Sequence, residues 1–243
     1  MNVNKITSKE TNAIIMAELK TTSKPDKIEF ITGFFRAKKG DICYGDQFLA
    51  SSVPDIHKII KKWYKTMTLE DVDFFINSKI NEVRFFAHEI VDHKYHDTTD
   101  LDLKKKYIEY LIKNIETINH WNLTDNIAGI FSNYCQLIND NSILNKFNKS
   151  KSIWQRRIAV VSQIPIIKKG NIGLAMEYIT SNLTDQHEYM QKANGWALRE
   201  VGKIDEKLLI SFLKTNIKII PSITKTYATE KLRLTYDVKN LLK

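Results

Sequence analysis

Arg156-Arg157-Ile158-Ala159 sets a basic pair beside a small residue at the start of an apolar run. The same arrangement, loosely kept, stands earlier in Val83-Arg84-Phe85-Phe86-Ala87 and later in Gln191-Lys192-Ala193. Arg84 to Arg157 is 73 residues and Arg157 to Lys192 is 35, so the first gap is close to twice the second. One further copy beginning near Trp121 fills it. A period in this range is that of stacked helix pairs of HEAT type, which bury their apolar faces against one another and curve to offer a concave binding face.

The flanking sequence supports helices throughout. Ile14, Ile15, Leu19; Ile56, Ile59, Ile60, Trp63; and Tyr107, Tyr110, Leu111, Ile115, Ile118 recur at the spacing of an amphipathic helix. Sustained period-2 alternation is absent. Only 8 Gly and 4 Pro interrupt the chain. Lys38-Lys39-Gly40-Asp41-Ile42-Cys43-Tyr44-Gly45-Asp46 reads as the clearest loop, and Asn139-Asp140-Asn141 and Lys168-Lys169-Gly170-Asn171 as turns. Ser51-Ser52-Val53-Pro54-Asp55 opens a helix with Pro54 in its first turn. No linker divides the chain. The expectation is an all-α, HEAT-like helical-repeat solenoid forming a single domain over residues 1–243.

Composition narrows the function classes. A hydrophobic fraction of 43% and a charged fraction of 27% are ordinary for a soluble globular protein. The formal charge of +9 suits a polyanionic partner. Two cysteines, Cys43 and Cys135, exclude a zinc knuckle by count and argue against a disulfide scaffold, as expected of a reduced, cytoplasmic protein. Residues 1–20 do not read as a signal peptide, and no apolar run is long enough to span a membrane. His88, Glu89, Asp92, His93 and His96 do not complete H-E-x-x-H, because position 92 is Asp. Neither a metal nor any other cofactor is expected. Lys104-Lys105-Lys106 reads as a solvated helix face. Lys58, Lys61, Lys62 and Lys65, behind the Pro54 helix start, are candidate phosphate contacts.

The stretch Ile118-Asn119-His120-Trp121-Asn122-Leu123-Thr124-Asp125 carries the chemistry. On a helix, an indole and a carboxylate four residues apart share a face. That pairing can stabilise a positive charge. The structural alternative is a core Trp121 beside a solvated Asp125. Trp154 and Trp63 read as packing residues, and Arg156 as a salt bridge or phosphate contact.

Three stretches act together: Trp121-Asn122-Leu123-Thr124-Asp125, Trp154-Gln155-Arg156-Arg157-Ile158-Ala159 and Lys192-Ala193-Asn194-Gly195-Trp196-Ala197-Leu198-Arg199-Glu200. With Gly45-Asp46-Gln47-Phe48-Leu49, Val53-Pro54-Asp55 and Tyr227-Ala228-Thr229-Glu230-Lys231, this combination resembles the AlkD-like family of DNA alkylation-repair glycosylases, over roughly Phe34 to Leu232. The resemblance implies helical repeats wrapping duplex DNA, and excision of cationic N3- and N7-alkylated purines without base flipping. It implies that Trp121 and Trp196 pack on the lesion's sugar, that Asp125 is the catalytic carboxylate and that Arg157 contacts a phosphate. Arg156 and Lys192 join Lys58, Lys61 and Lys62 as expected DNA contacts. The expected partner is double-stranded DNA with alkylated bases, met by a monomer with no membrane role that lies on the nucleoid when bound.

Two departures stand out. The family pattern is Trp-Asp-x-Val-Asp, where this chain has Asn122 and Thr124, and Ala50 sits where the family usually has Gly. Two alternatives stand beside the glycosylase: a non-catalytic DNA-binding protein on the same repeats, and a protein-interaction scaffold.

Overall fold

The computed structural model describes residues 7–232. They are all-α, with one isolated bridge, Gln47 to Ile80, in place of any sheet among the described residues. The helices are α1 (Ser8–Thr21), α2 (Ile28–Phe34), α3 (Val53–Trp63), α4 (Leu69–Ile76), α5 (Asn81–Asp97), α6 (Leu101–Lys113), α7 (Trp121–Ile138), α8 (Ser142–Asn148), α9 (Ile153–Val161), α10 (Ile164–Ile167), α11 (Gly173–Ser181), α12 (Glu188–Ile204), α13 (Glu206–Thr215) and α14 (Ser222–Thr229). The chain forms two compact units, Met1–Leu123 and Thr124–Lys243, and the division falls within α7. No described helix is long and apolar enough to cross a membrane.

In the first unit α5 is the central helix, packed by α3, α4 and α6. Its residues Asn81 to Val91 are all buried. Buried polar groups there must find partners, because an unpaired one costs about 1–3 kcal/mol. Arg84 and Glu82 find theirs in the loop that runs from α2 to α3. Ser52 caps α3, accepting from the Asp55 N–H, and Pro54 lies in the first turn as its fixed φ favours. α3 buries Ile56, Ile59 and Ile60, the periodic set. Lys104 departs from the expected solvated face: it is buried, donates to the Tyr95 carbonyl at 2.7 Å and lies 3.9 Å over the Tyr95 ring. A long apolar stem and an aromatic neighbour let the ammonium settle there.

In the second unit α12 is the central helix, packed by α9, α13 and above all α14. Gly195 permits that last contact. A Cβ there would stand 2.4 Å from Tyr227 Cβ and 2.7 Å from the Thr224 carbonyl oxygen. The turn after α10 carries Gly170 at φ +88°, in the left-handed region that glycine enters without steric cost.

Candidate functional site

In the first unit, Trp121 begins α7 and lies among rings. It stacks on Phe35 at 5.4 Å between centroids and meets the edge of Phe34 at 6.2 Å. His120, fully buried, lies 4.7 Å from Phe35 and 5.5 Å from Trp121. The indole is half-buried rather than sealed in the core. His120 Nε2 is 3.0 Å from the Phe35 carbonyl, and its Nδ1 is 3.1 Å from Asn122 Oδ1. Asn122 in turn bonds Asn81, the first residue of α5, at 2.8 Å. The departure at position 122 is therefore part of a half-buried chain of polar groups that reaches His120, the neighbour of the indole.

Beside these rings lies a buried clamp. Arg84 donates to Asp46 at 2.6 Å, to Asn119 Oδ1 at 2.8 Å and to the Ser78 carbonyl at 2.7 Å. Asn119 also donates to Asp46 at 3.2 Å. The loop and the residue before His120 are thereby fixed to α5.

In the second unit, Asp125 is held by Arg157 of α9. The guanidinium donates from Nε to one carboxylate oxygen at 2.7 Å and from Nη2 to the other at 2.6 Å. Its Nη1 goes to the Tyr189 carbonyl, and Thr124 Oγ1 donates to Asp125 at 3.1 Å. This fork-on-carboxylate geometry is the strong form of the ion pair. The Arg157 side chain is 7% exposed and that of Asp125 19%, so part of the aspartate side chain reaches solvent while the arginine is nearly enclosed. Arg157, expected at a phosphate, spends its donors on the protein in this structure. Trp196 on α12 is half-buried, with no hydrogen bond or ring contact among the described residues.

The expected DNA contacts divide by exposure. Arg156 is engaged with Asp185 at 2.7 and 3.0 Å and with the carbonyls of Ser150 and Lys151, the salt-bridge alternative of the sequence reading. Lys192 pairs with Glu188 one turn away. Lys58 and Lys62 make exposed pairs with Asp55 and Glu18, and Lys61 is exposed. Trp154 is buried against Tyr189, and Trp63 bonds Glu18 through its indole N–H. Among the described residues no group of three His, Cys, Asp or Glu side chains is placed to hold a metal. Burial pushes the Cys43 thiol up to about 12 and the Cys135 thiol up to about 11, so neither is a ready nucleophile.

Sequence reasoning missed Phe34, Phe35, His120 and Asn81. The available signal was local: His120 directly precedes Trp121, and Phe34-Phe35 is a ring pair before the loop.

An all-α repeat protein with an arginine-clamped aspartate and a partly open indole is the class these features define. Solved structures share the fold. The predicted DNA alkylation repair enzyme of Enterococcus faecalis matches with TM-score 0.70 at 16% identity, over 88% of this chain and 98% of its own. AlkD2 of Streptococcus mutans matches with TM-score 0.64 at 16% identity, over 94% and 100%. The protein smu.31 of Streptococcus mutans UA159 matches with TM-score 0.52 at 19% identity, over 79% and 91%. Among functionally curated proteins none matches this chain. The model of the family described as DNA alkylation repair enzyme matches residues 15–232, and the chain belongs to that family.

Proposed function

We propose that this protein is a monofunctional DNA glycosylase that hydrolyses the N-glycosidic bond of cationic alkylated purines, of the 3-methyladenine and 7-methylguanine type, in duplex DNA. The observation that carries this reading is the Asp125 carboxylate, gripped on both oxygens by Arg157 in a side chain that remains partly exposed. Membership of the alkylation-repair family supports DNA as the partner.

The chemistry needs little more. An N-alkylated purine is positively charged and already a good leaving group. Breaking its bond to C1′ puts positive charge on the deoxyribose. Asp125 stabilises that charge and orients a water to attack it. The family resemblance assigns Trp121 and Trp196 indole faces toward such a cation. No group protonates the leaving base, so neutral lesions are poor substrates. No lysine is invoked as a Schiff base, and flipping of the base out of the stack is not required.

Exposed lysines, led by Lys61, contact phosphates, and the exposed pairs of Lys58 and Lys62 yield to DNA because such pairs are worth at most about 1 kcal/mol. Lys192 and Arg156 lie in pairs of their own and contribute less. Arg157 serves chiefly to hold Asp125. The protein works as a monomer on cytoplasmic, nucleoid DNA and needs no cofactor.

The test is release of 7-methylguanine from a defined alkylated duplex under single-turnover conditions, with steep weakening of DNA binding as salt rises. Salt-sensitive binding with no base released points to the non-catalytic DNA-binding alternative. Binding that ignores salt points to the protein scaffold.

A further inference from the structure

The turns Asn139-Asp140-Asn141 and Lys168-Lys169-Gly170-Asn171 lie far apart in the chain, yet both border one cavity of about 360 Å³ in the second unit. That volume falls within the roughly 300–1,000 Å³ of small-molecule sites. The lining is rich in amides. Gln136 on α7, Asn139 and Asn141 in the first turn and Asn171 in the second are exposed or half-exposed at its mouth. None of these four side chains makes a hydrogen bond among the described residues. Leu144, Ile166 and Leu174 add apolar wall. The charged residues of the two turns do not line the cavity. Among the described lining residues only Cys135 is ionisable, and burial pushes its thiol up to about 11, so it stays protonated.

Gln163 decides what the interior of the cavity asks for. It immediately precedes α10, lines the cavity and is 2% exposed. The Ala159 carbonyl can only accept, so Ser162 Oγ spends its hydrogen there at 2.8 Å. Ser162 Oγ then accepts from Gln163 Nε2, 3.1 Å away. This orientation leaves the Gln163 carbonyl oxygen as an acceptor with no partner among the described residues. Buried acceptors are costly to leave unpaired, and a donor entering the cavity removes that cost.

We propose that this cavity binds an uncharged purine, as free base or nucleoside. A purine edge sets donors beside acceptors, and a carboxamide is its bidentate complement, as Asn or Gln is for the N6–N7 edge of adenine. The exocyclic amine donates to the Gln163 oxygen, the mouth amides take the remaining edge, and the aliphatic side chains cover the flat faces. A charged ring would lose its hydration with no opposite charge on the lining to replace it. Asp125, Arg157 and Trp196 do not line the cavity, so the inference stands apart from the glycosylase reading.

The test is titration of the intact, nitrogen-15-labelled chain with adenine and with adenosine, followed at the side-chain amide signals of Gln163 and Asn171. Saturable shifts are expected, with a dissociation constant of about 1 mM or below. Saturation by adenine alone makes the ligand a free base, and saturation by adenosine makes it a nucleoside. Benzoate and benzamidine, flat rings of opposite charge, are expected to leave both signals unmoved, as is glucose. Gln163→Met keeps the bulk but not the oxygen and is expected to weaken purine binding about tenfold. Asn171→Ala, at the exposed mouth where folding is not at stake, is expected to weaken it about threefold. No saturation by either purine at about 5 mM would leave the cavity to water and overturn the proposal. Equal binding of a charged ring or of glucose would overturn the ligand class, and unchanged affinity in both variants would place the purine elsewhere.

Discussion

Two aspartate–arginine pairs with a buried arginine, Arg84–Asp46 in the first unit and Arg157–Asp125 in the second, are built for different ends. In the first unit Arg84 reaches Asp46, Asn119 and the Ser78 carbonyl, and Asn119 returns a second bond to Asp46. Three chain segments are pinned, and the Asp46 side chain is only 10% exposed. In the second unit Arg157 places two donors on one carboxylate, and Asp125 keeps 19% of its side chain exposed. The first arrangement fixes a loop. The second presents a carboxylate in a set orientation. The same ion-pair chemistry thus secures a loop where the acid is enclosed and leaves the acid within reach of solvent where it is not.

Removing each acid in turn is the strongest test of that contrast. Asp125→Asn is expected to slow single-turnover excision on the order of a hundredfold or more, since a group facing developing charge is lost. Asp46→Asn is expected to cost stability, about 3–5 kcal/mol by urea titration, because it leaves Arg84 buried beside a neutral amide. The protein that remains folded should excise at the wild-type rate. Equal rate losses in the two variants would erase the distinction.

A second measurement sharpens the role of Arg157. Arg157→Ala is expected to cut the excision rate about tenfold or more while leaving the salt slope of DNA binding unchanged. Lys61→Ala should lower that slope by about one and leave the rate nearly alone. A reduced slope in Arg157→Ala would mean that this guanidinium leaves Asp125 for a phosphate on binding.

Acid should loosen the first unit. His88 lies one turn beyond Arg84 on α5, and burial first, then the Arg84 charge, push its imidazole down to about 3. The unfolded chain binds that proton near pH 6.5 and the folded chain does not. The stability it contributes is therefore complete above about 6.5 and is lost as pH falls toward 3, by up to about 1.4 kcal/mol per pH unit. Urea midpoints between pH 7 and 5 should fall less steeply in His88→Gln than in wild type. An identical pH dependence would clear His88 of this role.

The smallest effect concerns the loop that the Arg84 clamp secures. Ala50 sits at φ +55°, the left-handed region that disfavours a Cβ. The Leu49 N–H beside it donates to the buried Glu82 carboxylate at 3.0 Å. Ala50→Gly is expected to raise stability by about 0.5–1 kcal/mol, the relief of strain exceeding the added chain entropy. A loss on thermal or urea unfolding would show that the buried methyl outweighs the strain.

Much of this was legible in the chain itself. The 3.6-residue recurrence of Ile56, Ile59 and Ile60 depends only on which side chains share a helix face, and those residues are buried as the pattern requires. The Ala50 departure marked a glycine position, and the backbone there is the one glycine prefers. These are local properties, set by neighbours within a few residues.

What the sequence left open required the fold, because it depends on groups far apart in the chain. Arg157 carried no mark to say that it would hold Asp125 rather than face solvent. That was decided when α9 brought its guanidinium against the first turns of α7. Lys104 stood in a charged run and was buried by a partner nine residues away, the Tyr95 carbonyl and ring. His120 and Asn122 acquired their partners only when Phe35 and Asn81 closed on them from distant segments. Periodicity sorts side chains into inside and outside. Which buried polar group meets which is settled by desolvation, since each must find a partner in the packed interior and only the tertiary structure says who is within reach.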